Sequence, residues 1–94
     1  MKKEESLAKF FSAMSDPTRV RIVIAISSEG MNVNSISKKM KITMPAVSHQ
    51  LKHLYDLGLV KYEKKGREKI YKISDNHVRR ILREGIDHID KLPN

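Results

Sequence analysis

Two groups of residues in this chain have the types and spacing to do chemistry. The first is Asp75, His77 and His88, within "SDNHVRRILREGIDHIDK", residues 74–91. Imidazole nitrogen and carboxylate oxygen suit Zn²⁺, with Co²⁺ or Ni²⁺ as alternatives. On a helix, eleven steps of 100° return His88 to within about 20° of His77, about three turns along the same face. The same residues also fit a plainer role. Val78, Ile81, Leu82, Gly85, Ile86, Ile89 and Leu92 form a stripe beside them, so the histidines flank an apolar seam. The second group lies in "ITMPAVSHQLKHLYDLG", residues 42–58. Helical spacing puts Val47, Leu51 and Leu54 on one face, expected to be buried. Thr43, Met44, Pro45, Ser48, His49, Gln50, Lys52 and His53 are then the residues that can meet a ligand. Ser48 and His49 have the hydrogen-bonding groups to reach base edges in a DNA major groove, while Lys52 suits a phosphate. Thr43 can add a phosphate contact at the helix N-terminus. No Ser/His/Asp arrangement, phosphate-cradling glycine loop or pair of acids in a cleft argues for catalysis, and the chain is not expected to be an enzyme.

These residues need elements to position them. Leu7, Phe10, Phe11 and Met14 recur at helical spacing, and "SDP" breaks that helix, with Asp16 a cap and Pro17 in the first turn of the next. "PTRVRIVIAISSEG" is rich in β-branched residues, yet its Asp-Pro start and terminal Gly30 favour helix. "NVNSISKKMK" is a short helix, and Thr43 to Gly58 bound another, so the pair forms a helix-turn-helix. Leu59–Glu63 and Lys69–Ile73 are expected as two strands joined by "KKGR", a glycine-bearing hairpin turn. Between residues 61 and 72 stand six Lys or Arg against two Glu, so the hairpin is a basic ribbon whose Lys64, Lys65 and Arg67 can reach a minor groove or the phosphate backbone. The last helix starts near Asp75 and runs to about Asp90. The expected fold is mainly α with a β-hairpin wing (α+β), a winged helix-turn-helix in the order α-α-α-α-β-β-α.

Ninety-four residues suit a single domain, residues 1–94, combining DNA binding and dimerisation, because a core this small gains from a second copy. The formal charge is +8 per chain and +16 for a dimer, which makes nucleic acid the default partner. The absence of cysteine excludes disulfides and thiolate metal sites. The charged start "MKKEESLAKFF" lacks the apolar run of a signal peptide or membrane span, so no membrane association and a cytoplasmic location are expected.

"FSAMSDPTRVRIVIAIS" followed by "ITMPAVSHQLKHLYDLGLVKYEKKGREKIYKIS" closely resembles the ArsR/SmtB family of bacterial winged-helix repressors, over nearly the whole chain. The resemblance implies a homodimer joined through its first and last helices, with the last pair antiparallel. It also implies two recognition helices in successive major grooves of a palindromic double-stranded operator, and repression relieved by an inducer. Met44 stands where a polar residue is common, which bears on base preference. The family's zinc, cobalt and nickel sensors carry Asp-x-His near the start of the last helix and two further ligands near its end. Asp75, His77 and His88 match, and the fourth position falls on Lys91. A lysine ligand must lose its proton, which costs about 4–5 kcal/mol near neutral pH. Three outcomes stay open: water completes a weaker site, Asp87 or Asp90 replaces Lys91, or the site binds no metal and another inducer, or none, acts. The family's cysteine-based site, and arsenic, cadmium or lead sensing through it, is excluded. A different class of reading is a protein-interaction module in which the basic hairpin grips an acidic partner.

Overall fold

The computed structural model describes residues 2–93. Its elements are α1 (Lys2–Ser12), α2 (Pro17–Ile26), α3 (Val33–Met40), α4 (Met44–Asp56), β1 (Val60–Lys65), β2 (Glu68–Ile73) and α5 (Asn76–Asp90), the order expected. Side-chain caps set the helix starts. Asp16 accepts a hydrogen bond from the Arg19 amide at 3.0 Å, with Pro17 in the first turn of α2. Asn32 accepts from the Ser35 amide at 2.7 Å to start α3, and Thr43 Oγ1 from the Ala46 amide at 3.2 Å to start α4. Each cap satisfies an amide that a helix N-terminus would leave orphaned. Arg19 also donates to the carbonyls of Ala13 and Ser12, at 2.7 and 3.0 Å, which closes the end of α1 and ties it to α2.

The β-branched run of α2 is helical because it lies inside, where Ile22, Val23 and Ile26 are fully buried. Tertiary burial overrides a weak local propensity. Gly30 does not terminate this helix, which ends at Ile26 with Ser27 as its cap. Met31 pairs with Tyr71 in an antiparallel bridge, and a Cβ on Gly30 would stand 2.6 Å from Ile70 Cγ2. Gly30 is there to let its backbone approach β2.

At the other end of the helix-turn-helix, α4 closes in a Schellman motif. The amide of Leu59 bonds to the Leu54 carbonyl and that of Gly58 to the Tyr55 carbonyl, with Gly58 at φ 82°. Leu59 is thereby drawn into the core as part of the helix ending, and β1 begins one residue later than expected. The hairpin is longer at its tip. Its ladder runs from Val60↔Ile73 to Lys65↔Glu68, leaving a two-residue loop of Gly66 and Arg67. Gly66 has φ 64° and Arg67 does not, the pattern of a type II′ turn, which matches strand twist better than the four-residue turn expected from "KKGR".

The core joins Ile22, Val23 and Ile26 to Ile36 and Met40 of α3, Val47, Leu51 and Leu54 of α4, Leu59, Val60 and Ile73 of the wing, and Val78 of α5. The two end helices contribute little. α1 buries no residue and α5 only Val78. Leu7, Phe11, Ile89 and Leu92 are 55%, 49%, 65% and 53% exposed. Phe11, Met14, Ile81, Gly85 and Ile89 line one apolar cleft between the two helices.

Candidate nucleic-acid interface and terminal-helix site

The buried stripe of α4 is Val47, Leu51 and Leu54, as its spacing predicts, and this fixes what the helix turns outward. Thr43, Met44, Pro45, Ser48, His49, Lys52 and His53 are exposed, and Gln50 is half-buried on the flank. Lys52 is already engaged, its ammonium 3.1 Å from Asp56 one turn on, with both side chains well exposed. Such a pair contributes about 0.3–0.5 kcal/mol, so a phosphate can displace it at small cost.

Lys64, Lys65 and Arg67 are exposed at the wing tip. The tip leans back toward the helix-turn-helix: Arg67 and Lys69 share a cleft of about 290 Å³ with Met44 at the start of α4 and Asn32 and Asn34 at the start of α3. The wing and the two helix N-termini therefore form one continuous surface. Asn32, Asn34 and Lys69 belong to it and were not among the residues expected from sequence, since only the fold brings the α3 start beside β2. Glu63 is neutralised within the ribbon. Its contact with the Lys72 ammonium holds its carboxyl below the ordinary value. Tyr62 of the wing packs against Tyr55 and Tyr71 with rings tilted by 42° and 48° and centroids 5.4 Å apart in each pair, and Lys69 sits 4.7 Å over the Tyr62 ring.

At the start of α5, Asp75 is the N-cap. One oxygen, Oδ1, accepts from the amides of His77 and Val78 at 2.9 and 3.1 Å, and His77 Nδ1 lies 3.4 Å from the same atom. The bond from Val78 chiefly holds the Asp75 carboxyl below its ordinary range, with His77 adding to the effect. Oδ2 accepts no hydrogen bond from the described residues and stays available to a cation. His88 is exposed, about 16 Å along the helix from His77 at 1.5 Å per residue, so the two cannot meet one ion within a chain. Consistent with that span, no group of three or more His, Cys, Asp or Glu among the described residues of one chain is placed to hold a metal. The helix is regular through Asp90, which leaves Asp87 about 80° and Asp90 about 140° from the bearing of His77. Asp87 instead lines a cleft with Ser27, Arg79 and Arg83. Lys91 is the exposed C-cap of α5 in helical conformation and keeps the phase of the helix. The donors present are thus an ionised carboxylate and an imidazole at one end and a second imidazole at the other, a set that fits three of the four positions of a tetrahedral zinc site built from two chains.

The base of α5 is joined to the end of α4. Ser74 Oγ donates to the Gly58 carbonyl at 2.8 Å and the Ser74 amide to the Leu59 carbonyl at 3.0 Å. Arg79 Nε donates to the Ser27 carbonyl at 3.1 Å.

An exposed α4 N-terminus flanked by a basic hairpin, on a helix-turn-helix, defines a winged helix-turn-helix protein of the nucleic-acid-binding class. The profile described as "Bacterial regulatory protein, arsR family" matches residues 16–62, from the cap of α2 to the middle of β1. The chain belongs to this family of transcriptional regulators. It is 40% identical to the transcriptional repressor SmtB homolog of Synechocystis over 93% of its own length and 66% of that protein's. With the cadmium resistance transcriptional regulatory protein CadC homolog of Staphylococcus aureus it shares 35% identity, over 87% and 69% of the two chains. In fold it superposes at TM-score 0.94 on the homodimeric winged helix-turn-helix DNA-binding domain of a possible ArsR-family regulator from Mycobacterium bovis, at 19% identity, covering 99% and 86% of the two chains. The chain spans just under two thirds of the Synechocystis repressor, and slightly more of the staphylococcal protein.

Proposed function

We propose that residues 1–94 act as one unit, a cytoplasmic homodimeric repressor that binds a palindromic operator in double-stranded DNA and releases it when a divalent metal joins the two terminal helices. The observation that carries the DNA half is the shared surface of α4, α3 and the wing tip. Ser48 and His49, with Thr43, Met44, Pro45, Gln50 and His53 around them, face the bases. Lys52, Lys64, Lys65 and Arg67 hold phosphates and set the register. The dimer half is supported by α1 and α5, whose apolar faces remain largely exposed within the described residues. In an antiparallel α5 pair, the register that sets His77 level with His88 of the partner subunit sets Asp75 level with Asp90 of the partner subunit, one residue from Lys91 of the partner subunit. Gly85 then comes level with Arg80 of the partner subunit, one residue from Ile81 of the partner subunit.

Asp75 and His77 of one chain, with His88 of the partner subunit, would hold Zn²⁺, Co²⁺ or Ni²⁺, whose charge and directional bonds would cross-link the helices. Asp75 is suited to this by its lowered proton affinity and free Oδ2. Movement of α5 is passed to α4 through the bonds of Ser74 to Gly58 and Leu59, and the loss of operator affinity is the coupling free energy. A second reading rests on Lys91: its ammonium can pair with Asp75 across the seam, leaving a repressor with no metal response.

Two measurements decide between these. A palindromic duplex selected from a random pool should outcompete random duplex by about 10³-fold or more for a repressor, whereas an acidic-protein binder would show no preference. Titration with Co²⁺ should give a visible absorption band and lower operator affinity in step. No band at micromolar metal, or a band with unchanged DNA affinity, would remove metal control and leave the Lys91 reading.

A further inference from the structure

Lys41 is the only residue other than glycine with positive φ among the described residues, at φ 58° in the left-handed region. It caps α3 in the turn of the helix-turn-helix, its amide bonded to the Ser37 carbonyl. For a long side chain this conformation costs stability that glycine or asparagine would not lose. The turn itself uses this conformation, since it lets the Ile42 amide bond to the Ser37 carbonyl at 3.2 Å, but a glycine would keep that bond; the lysine side chain is exposed and, among the described residues, makes no ion pair. Its position suggests what the side chain is for. Asn34 and Lys38 lie one turn apart on one edge of α3, and Lys41 follows in the turn just beyond its last residue, Met40. Asn34 stands in the cleft shared with Met44 and Arg67, and Lys41 lies two residues before Thr43, the cap of α4. An exposed ammonium two residues from that cap is within side-chain reach of the phosphates that would flank α4 in the proposed groove.

We infer that Lys41 is a phosphate anchor of the DNA-bound state, holding a strained turn conformation in exchange for one backbone contact per protomer. This rests on the DNA-binding reading above. It predicts that stability and affinity move in opposite directions at this residue. Lys41→Gly should raise the thermal midpoint by about 4–8 °C. The same change should weaken binding to a palindromic duplex selected by the wild-type protein by about threefold to tenfold per dimer at moderate salt. The slope of log affinity against log salt should shrink by about 2 for the dimer, one phosphate per protomer, and random duplex should be weakened in proportion. Lys41→Asn should behave like the glycine variant, and Lys41→Arg should keep both the wild-type melting point and the wild-type slope. A glycine variant that melts higher but binds with unchanged affinity and slope would overturn the assignment, as would one that binds more weakly without melting higher. Wild-type protein that binds neither duplex would instead overturn the DNA-binding reading itself.

Discussion

At Asp75 one carboxylate caps α5 and, in the proposed metal site, would also bind a cation, with its two oxygens dividing the tasks. Oδ1 accepts from the amides of His77 and Val78, while Oδ2 would meet the cation. Substitutions separate the tasks. Asp75→Asn keeps an oxygen for the cap and should change the melting temperature little at neutral pH while abolishing the Co²⁺ band. Asp75→Ala should lower the melting temperature as well, because two amides lose their acceptor. Proton linkage adds a third signature. The folded protein holds Asp75 below its ordinary value of 3.8, so the unfolded chain takes up its proton first as the pH falls. The stability this group supplies is complete well above pH 3.8 and drains as the pH drops through the lowered folded value. Melting curves from pH 6 to pH 2.5, roughly, should therefore decline less steeply for Asp75→Asn than for wild type. In the groove, Ser48→Ala should relax preference at one operator position by about 1–3 kcal/mol, read by competition among single-base variants of the selected duplex. Replacing Lys64 by Ala should weaken all duplexes alike and reduce the salt slope.

Among the elements, α5 holds the sharpest test of the seam. Gly85 lies mid-helix with nothing within 4 Å of the place its Cβ would take, so within one chain alanine is harmless there. Alanine should even favour the helix by about 0.8–1 kcal/mol. Across the proposed antiparallel seam the same methyl would crowd the facing helix of the partner subunit. Gly85→Ala should thus raise the melting temperature of dilute monomer yet weaken dimerisation, a pair of results that sedimentation velocity and low-concentration melting would reveal together. How far the elements were legible in sequence depended on the range of the forces that fix them. Asp16-Pro17, Thr43 and Gly58 act through neighbours within a turn, and their helices begin and end where those residues stand. The stripe of Val47, Leu51 and Leu54 is equally local. Gly30 reads as a helix terminator in sequence because its reason lies forty residues away, at Ile70. Leu59 reads as a strand residue because alternation does not distinguish a strand start from the last residue of a Schellman ending. Asn32 and Asn34 join the surface of α4 and the wing tip only through the packing of β2 against the α3 start. Lys41 sits in a turn that sequence marks only by the helices on either side.

For the molecule as a whole, the division of burial is the governing fact. α2, α3, α4 and the wing share a closed core, so this part of the chain holds its shape from within, and Leu51→Ala should cost it about 2–5 kcal/mol in chemical denaturation. The outer helices stand apart from that core, α1 secured chiefly by Arg19 at its end and α5 by Val78 and Ser74 at its base. Their apolar faces stay largely open within one chain, so if a second copy covers them, as proposed, the melting temperature of the wild type should rise with protein concentration, by an amount that calorimetry across a hundredfold dilution series would measure. That arrangement has a consequence for dosage. If, as proposed, the protein reads DNA only as a pair, and its chains are scarce enough to be mostly unpaired, dimers form in proportion to the square of the chain concentration. Halving its synthesis would quarter the species that sits on the operator, making repression fall away more steeply than the amount of protein does.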